Sequence, residues 1–200
     1  MGIIEIIGIA GSVSLLAGWR LYLSMVATGL AMRFDVVPVP EHLASLGALE
    51  NPWVIGIAAL AAVAEFLADK VMWFDSVWDT VHTFVRPVGG ALLALAIVDP
   101  SDPAVQVIAF VLGGGAALTA HGGKAATRGV VNASPEPVSN VLVSTVEDVA
   151  SAGLLWAAFE YPYAAGGIAL VLLALAVWLL LTARRIIRRL LRREEGAPPT

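Results

Sequence analysis

The chain has 200 residues and a formal net charge of −4, with 58% hydrophobic and only 14% charged residues. Soluble domains carry about a quarter charged residues, so this composition, with a mean hydropathy of +0.83, excludes an ordinary soluble domain and indicates a membrane protein. The absence of cysteine also excludes disulfides, thiol catalysis and cysteine metal sites.

Apolar segments follow one another along the chain, separated by stretches rich in Pro, Asp and Asn. They cover residues 3–32, 52–69, 77 or 88 to 98, 104–122, 138–158 and 162–183. The start of the chain lacks the basic region of a cleavable signal peptide, so we expect the first segment to be retained. Residues 88–98 alone are too short to cross about 30 Å of hydrocarbon, so the third span should include residues before Pro87. The sequence predicts an all-α polytopic transmembrane bundle of about six spans.

The two halves of the sequence share an order of features, which predicts an internal repeat. Each half has a basic motif, then an acidic segment, then a Pro followed by Gly-Gly. Glu65 lies thirteen residues after Pro52 and Glu147 lies twelve after Pro135, which favours similar depths from opposite membrane faces. We therefore expect residues 1–98 and 104–183 to form two inverted three-helix repeats, with Glu65 and Glu147 meeting near the membrane midplane.

Glycines interrupt the long first segment of each half. They are Gly11, Gly18 and Gly29 in the first half, and Gly113 to Gly115, Gly122 and Gly123 in the second. Glycine-interrupted segments at matching positions indicate discontinuous helices around a substrate site. The alternative is that these glycines allow close helix packing, as small residues do in membranes.

Three stretches resemble one bacterial integral-membrane family, known as domain of unknown function 4126. They are EFLADK (65–70), DSVWDTVHTFVRPVGGALLA (75–94) and KAATRGVVNASPEPVSNVLVSTVEDV (124–149). The resemblance covers most of the chain outside the arginine-rich end. It implies a membrane protein and implies no substrate.

Ionisable side chains inside the apolar segments are candidate site residues, because charges in a bilayer are costly and normally pair or line a water path. Glu65 and Asp69 share one helix face, and Glu147 is followed directly by Asp148. The predicted transport or charge network comprises Arg20, Glu65, Asp69, Lys124, Arg128, Glu147 and Asp148. Arg20 and Lys124 are the expected counter-charges of the two glutamates, and Asn140, Ser144 and Ser151 form a polar stripe beside Glu147.

Other polar residues have simpler interpretations. Asp69 and Lys70 fit the cytoplasmic end of a helix, and His121 fits a helix-packing or polar-network position. Asp75, Asp79 and His82 line one side of DSVWDTVHTF, which favours an interfacial amphipathic helix over a metal site. No metal and no cofactor is therefore predicted.

Basic residues predict the orientation, because cytoplasmic loops are enriched in Lys and Arg. With both termini in the cytoplasm, inner segments hold Lys70, Arg86, Lys124, Arg128 and six terminal arginines, against Arg33 alone outside. Residues 184–195 are expected to form a cytoplasmic amphipathic helix, and residues 196–200 a disordered tail. The helix places Arg184, Arg185, Arg188, Arg189, Arg192 and Arg193 near anionic lipid, although a role in topology alone fits equally well.

These features favour a small permease or channel of the bacterial inner membrane that moves a small ion or solute. The alternative is a non-transporting scaffold or lipid-interacting protein whose charge network is structural. An enzyme is not expected, since His-Glu-x-x-His, Gly-x-Ser-x-Gly and phosphate-binding glycine loops are absent. Nucleic-acid binding is not expected either, and a homodimer remains open.

Overall fold

A computed structural model describes residues 2–37, 47–70, 72–98, 103–132 and 137–195. These ranges form α1 (Ile3–Ala17), α2 (Leu21–Arg33), α3 (Pro52–Ala68), α4 (Met72–Ile97), α5 (Pro103–Asn132), α6 (Pro137–Glu160) and α7 (Pro162–Glu195). Helices α4 to α7 each contain a stretch long and apolar enough to cross a membrane, and α1 and α3 are shorter apolar helices. The predicted all-α, multi-pass membrane class is confirmed.

Proline marks the first residue of four helices: α3, α5, α6 and α7. Proline is favoured there because its missing N–H would have no partner in the first turn and its φ angle already suits a helix. At α3 the side chain of Asn51 adds a cap, accepting a hydrogen bond from the Trp53 amide at 2.9 Å. The Pro-rich stretches therefore end one helix and begin the next, as the sequence indicated.

The third predicted span, α4, is continuous through Pro87. It does include residues before this proline, as expected. The prediction of a separate interfacial amphipathic helix is wrong, however, because Asp75, Asp79 and His82 lie on the buried side of the first half of α4.

The first apolar segment folds back on itself at Gly18, Trp19 and Arg20, between α1 and α2. Near the start of α1, Gly8 lies against the backbone of Pro162, the first residue of α7. At the other end of the segment, Arg33 Nη1 donates to the carbonyl of Glu50 at 3.3 Å, just before α3. Both open ends of this hairpin therefore lie where α3 and α7 begin.

This geometry does not fit a first span that crosses the bundle. The hairpin enters and leaves at the same end, while α7 runs from that end to the opposite one. Gly2 and Glu195 consequently lie at opposite ends of the described bundle, whereas both termini were expected on one side of the membrane, and that orientation stays a prediction.

The helices do not display the predicted repeat. The first half contains a hairpin followed by α3 and α4, whereas the second half contains three helices. The break in the first segment is confirmed, but the corresponding segment of the second half is the continuous helix α5. Some of its glycines serve close packing instead: Gly113 lies against Gly90 and Ala94, and Gly123 against Ala176.

Helix α1 forms the centre of the bundle, packing against α4, α5, α6 and α7. Its side chains Ile9, Val13 and Leu16 are almost completely enclosed. Large apolar side chains of the outer helices instead face outward, among them Leu60 of α3 and Leu170 of α7. An apolar exterior of this kind suits contact with lipid chains.

The arginine-rich segment, expected as an amphipathic helix over residues 184–195, is helical and continues α7 without a break. Arg184, Arg185, Arg188 and Arg189 are exposed. The side chains of Arg192 and Arg193, and residues 196–200, lie outside the described part of the chain.

Candidate functional site

Charged side chains from four helices and two helix ends gather around the tip of the α1–α2 hairpin. We call this group the charge cluster, and it consists of Arg20, Glu65, Asp69, Lys70, Asp75, Asp79, Arg86, Lys124, Arg128, Glu147 and Asp148. All seven predicted network residues belong to it. Lys70, Asp75, Asp79 and Arg86 are members that the sequence interpretation placed elsewhere.

Asp69 is the central acceptor of the charge cluster. It follows the last residue of α3, and its Oδ2 atom forms an ion pair with Arg20. The same atom lies 2.7 Å from Lys124 Nζ and 3.4 Å from Arg128 Nη2. One carboxylate thus joins the hairpin tip to α5, which accounts for a buried acid at this helix end.

The adjacent carboxylates of α6 have different partners. Glu147 Oε2 accepts from Arg128 Nη2 at 2.8 Å. Asp148 Oδ1 lies 2.6 Å from Arg20 Nη2, and its other oxygen lies 2.8 Å from Lys70 Nζ. The two neighbouring acids therefore hold the hairpin tip, α5 and the end of α3 against α6.

Arg86 corrects the predicted pairing of Glu65. Its Nη2 donates to Glu65 Oε1 at 3.0 Å, and its Nη1 donates to Asp79 Oδ1 at 2.9 Å. Arg86 was expected in a cytoplasmic loop, and Glu65 was expected to pair with Arg20 or Lys124. Continuity of α4 through Pro87 instead carries the guanidinium into the interior.

His121 extends this group toward α4. Its Nδ1 lies 2.6 Å from Arg86 Nη1, and its Nε2 lies 2.9 Å from Thr83 Oγ1. A guanidinium only donates, so Nδ1 is the acceptor and Nε2 carries the hydrogen. The expected polar-network role of His121 is confirmed by these contacts.

Glu65 and Glu147 share the charge cluster without forming the predicted midplane site. Glu65 belongs with Arg86, Glu147 with Arg128, and Asp69 and Lys124 lie between the two groups. Asp69 caps the end of α3, and Asp75 lies in the first turn of α4. The cluster therefore lies toward the end of the bundle at which α3 ends and α4 begins.

Two members of the predicted polar stripe are buried, Ser144 and Ser151. The Ser144 carbonyl accepts from Arg20 Nη2 at 3.4 Å, and its hydroxyl accepts from Lys70 Nζ at 3.1 Å. The side chain of Asn140 lies outside the described residues.

An aromatic group anchors α2 to α4 beside the charge cluster. Tyr22 Oη lies 3.1 Å from His82 Nε2, and His82 Nδ1 lies 2.7 Å from the Trp78 carbonyl. The imidazole also stacks on the Trp78 ring, with 4.4 Å between centroids. His82 thus fastens the returning arm of the hairpin.

Two cavities reach the charge cluster from either side of α5. The first, of about 280 Å³, lies between α4 and α5 and is lined by polar side chains that include Asp75, Asp79, Thr83, His121 and Arg128. The second, of about 400 Å³, has apolar walls from α6 and α7 and reaches Lys124, Glu147 and Trp19. The charged side chains of α5 therefore separate a polar cavity from an apolar one.

The family model described as Domain of unknown function (DUF4126) matches residues 7–182. The chain belongs to this family, in agreement with the resemblance seen in its sequence. The match runs from α1 into α7 and includes every member of the charge cluster. No curated protein matches the chain, and no solved structure does.

Proposed function

We propose that the protein is a small permease or channel of the bacterial inner membrane, which moves a small ion or solute past the charge cluster. It acts without a cofactor and without enzymatic chemistry. The break between α1 and α2 is the single observation on which this proposal depends.

The hairpin tip supports transport because it places non-helical backbone inside the bundle. Such backbone is tolerated at membrane depth where protein buries it or where it lines a water-filled cavity. Many transporters build their substrate sites at interrupted helices of this kind. Here the interruption brings Trp19 to one cavity and Arg20 to the carboxylates of α3 and α6.

The cavities on the two sides of α5 supply a second line of support. Lys124 lies in the wall of one cavity and Arg128 in the wall of the other, and Lys124 and Arg128 both contact Asp69. An exchange of partners at Asp69 would therefore move a side chain that lines one of the two cavities. We propose that such a rearrangement of ion pairs controls access to them.

Reconstitution into vesicles tests the proposal. Purified protein should carry an ion current or a proton, sodium, potassium or chloride flux above that of protein-free vesicles. Glu147→Gln should reduce the flux toward the protein-free rate, because the glutamate is a partner of Arg128 and lines the second cavity.

Glu160→Gln is the matched control, since Glu160 is an exposed carboxylate at the far end of α6. It should retain wild-type flux. A folded wild-type protein that moves none of these ions, nor small neutral solutes, would contradict the transport proposal.

A non-transporting scaffold or lipid-interacting protein is the second candidate function. Its support is the density of pairing: each basic member of the charge cluster lies within 4 Å of at least one carboxylate, as a purely structural network requires. The exposed arginines at the end of α7 also suit anionic lipid headgroups. In that case neither Glu147→Gln nor the wild type would support flux.

The orientation belongs to the same proposal. The arginine-rich end of α7 should face the cytoplasm, because clustered basic residues are retained on that side. Given the hairpin, Gly2 should then face the opposite side.

A further inference from the structure

Among the charge-cluster acids that have an oxygen without a hydrogen-bond partner, Asp75 is the one that lines the polar cavity. The residue is only 1% exposed, and its Oδ1 atom has no hydrogen-bond partner among the described residues. A buried carboxylate oxygen without a hydrogen-bond partner is expensive. Its environment therefore suggests a ligand that the protein side chains do not supply.

The geometry around Asp75 is suited to a cation. Carboxylate oxygens of Asp69, Asp75 and Asp79 lie within 4.8 Å of one another, close enough to contact one ion. Asp75 and Asp79 also line the polar cavity between α4 and α5, where Ser76, Thr80 and Thr83 add hydroxyl groups. Carboxylate and hydroxyl oxygens are typical ligands of hard cations.

The charge balance limits the cation to a single charge. The described charge cluster contains six acids, Glu65, Asp69, Asp75, Asp79, Glu147 and Asp148, and five bases, Arg20, Lys70, Arg86, Lys124 and Arg128. One negative charge is left over when all are ionised and both histidines are neutral. One monovalent cation neutralises the group, whereas a divalent ion would leave an excess positive charge in a medium of low dielectric constant.

Neighbouring basic groups reinforce this limit. Lys124 Nζ lies 2.7 Å from Asp69 Oδ2 and 3.9 Å from Asp79 Oδ1, and Arg128 Nη2 lies 3.4 Å from the same Asp69 atom. They repel any bound cation, and a doubly charged ion twice as strongly. On the side that faces the polar cavity, Asp75 Oδ1 has no hydrogen-bond donor that would compete with a bound ion.

We propose that Asp69, Asp75 and Asp79 bind one small monovalent metal cation of the size of sodium, which enters through the polar cavity. This site would define the class of ion that the proposed transporter moves, so its physiological role rests on the transport proposal. Binding itself does not, and it is measurable without flux.

The test uses the full chain in detergent at constant ionic strength. Sodium chloride replaces choline chloride stepwise, and the Tm is followed at constant pH. We expect a saturable rise in Tm with sodium, because a ligand that binds only the folded state stabilises it by mass action. Asp75→Asn should weaken the apparent affinity by about tenfold or more, since a charged ligand is lost. Glu160→Gln should bind as the wild type does.

Other outcomes overturn the proposal. A Tm that is indifferent to sodium in the wild type, or a sodium response that survives Asp75→Asn, excludes this site. Stabilisation by calcium in preference to sodium refutes the charge argument. Stabilisation by acid alone, lost in Asp75→Asn, means that a proton balances the charge and that no metal ion does. Sodium binding without flux would leave this site standing and remove only the transport proposal.

Discussion

Arg86 is the largest fully enclosed side chain among the described residues, with 0% exposure. It is stabilised by two carboxylates, Glu65 and Asp79, and by the imidazole of His121. A buried ion pair contributes little relative to apolar residues of the same size, but removal of one partner leaves an uncompensated charge. The stability lost on each substitution therefore depends on which oppositely charged side chains remain around the group whose partner was removed.

Replacement of Arg86 should be the more damaging change at this pair. Arg86→Met strands Glu65 and leaves Asp79 only Lys124 Nζ, at 3.9 Å, and we expect a loss of about 3–5 kcal/mol. Glu65→Gln should cost less, because Arg86 keeps Asp79. The double variant should be more stable than Arg86→Met alone. Thermal or denaturant unfolding in detergent measures all three.

Arg33→Met provides the control, since Arg33 is exposed and lies far from the charge cluster along α2. It should leave stability unchanged. An Arg86→Met variant as stable as the wild type would show that Arg86 and its carboxylates are not held as an ion-paired group.

The sequence identified seven members of the charge cluster because charges within apolar segments stand out without any knowledge of the fold. Arg86 was assigned to a cytoplasmic loop as part of the basic asymmetry, and Asp75 and Asp79 were assigned to one side of an interfacial amphipathic helix. The spacing of Asp75, Asp79, His82 and Arg86 by four, three and four residues was the available signal, because it places them on one helix face.

At the scale of elements, the hairpin depends on close packing at its tip. Gly18 follows α1 with an ordinary helical backbone, φ −68°. A Cβ atom there would collide with the carbonyl oxygen of Ala117 and the side chain of Ala120 on α5. The glycine is thus required for the approach of two helices and not for its conformational freedom.

Gly18→Ala should separate the hairpin tip from α5. We expect a loss of about 1–3 kcal/mol, the usual cost of overpacking, with a parallel loss of flux if Arg20 moves with the tip. Gly11→Ala is the matched control, because a Cβ at Gly11 meets no atom within 4 Å. It should be neutral or stabilising by up to about 1 kcal/mol, as Ala is the better helix former. Equal behaviour of the two variants would contradict the tip packing.

The break in this segment was predictable from its glycines, but the direction of the chain after the break was not. A stretch of thirty apolar residues fits either one interrupted span or two short helices that return to the same side. The contacts that decide between them, Gly8 with Pro162 and Arg33 with Glu50, join residues whose pairing no local pattern encodes. Continuity of α5 was equally hidden, because glycines that pack and glycines that break a helix look alike in sequence.

At the scale of the whole molecule, the hairpin determines how the charges are distributed between the two ends of the bundle. Lys70 and the arginines of α7 lie toward the end at which α3 ends, and Arg33 lies at the other. The basic asymmetry of the sequence is therefore also an asymmetry between the two ends of the bundle, and we expect Gly2 to lie on the side opposite the arginines. The composition was enough to predict the membrane class, whereas the end of the bundle at which Gly2 lies follows only from the tertiary contacts.

The hairpin, and with it the transport proposal, is tested most directly by measuring the side of the membrane on which Gly2 lies. The chain has no cysteine, so Gly2→Cys, Asn51→Cys and Arg185→Cys each introduce a single thiol for a membrane-impermeant maleimide, applied to right-side-out and inverted vesicles. Cysteines at positions 2 and 51 should react from the same side, and one at position 185 from the opposite, cytoplasmic side. Labelling of positions 2 and 185 from the same side would mean that the first segment crosses the membrane, which contradicts the hairpin and the site built around Arg20.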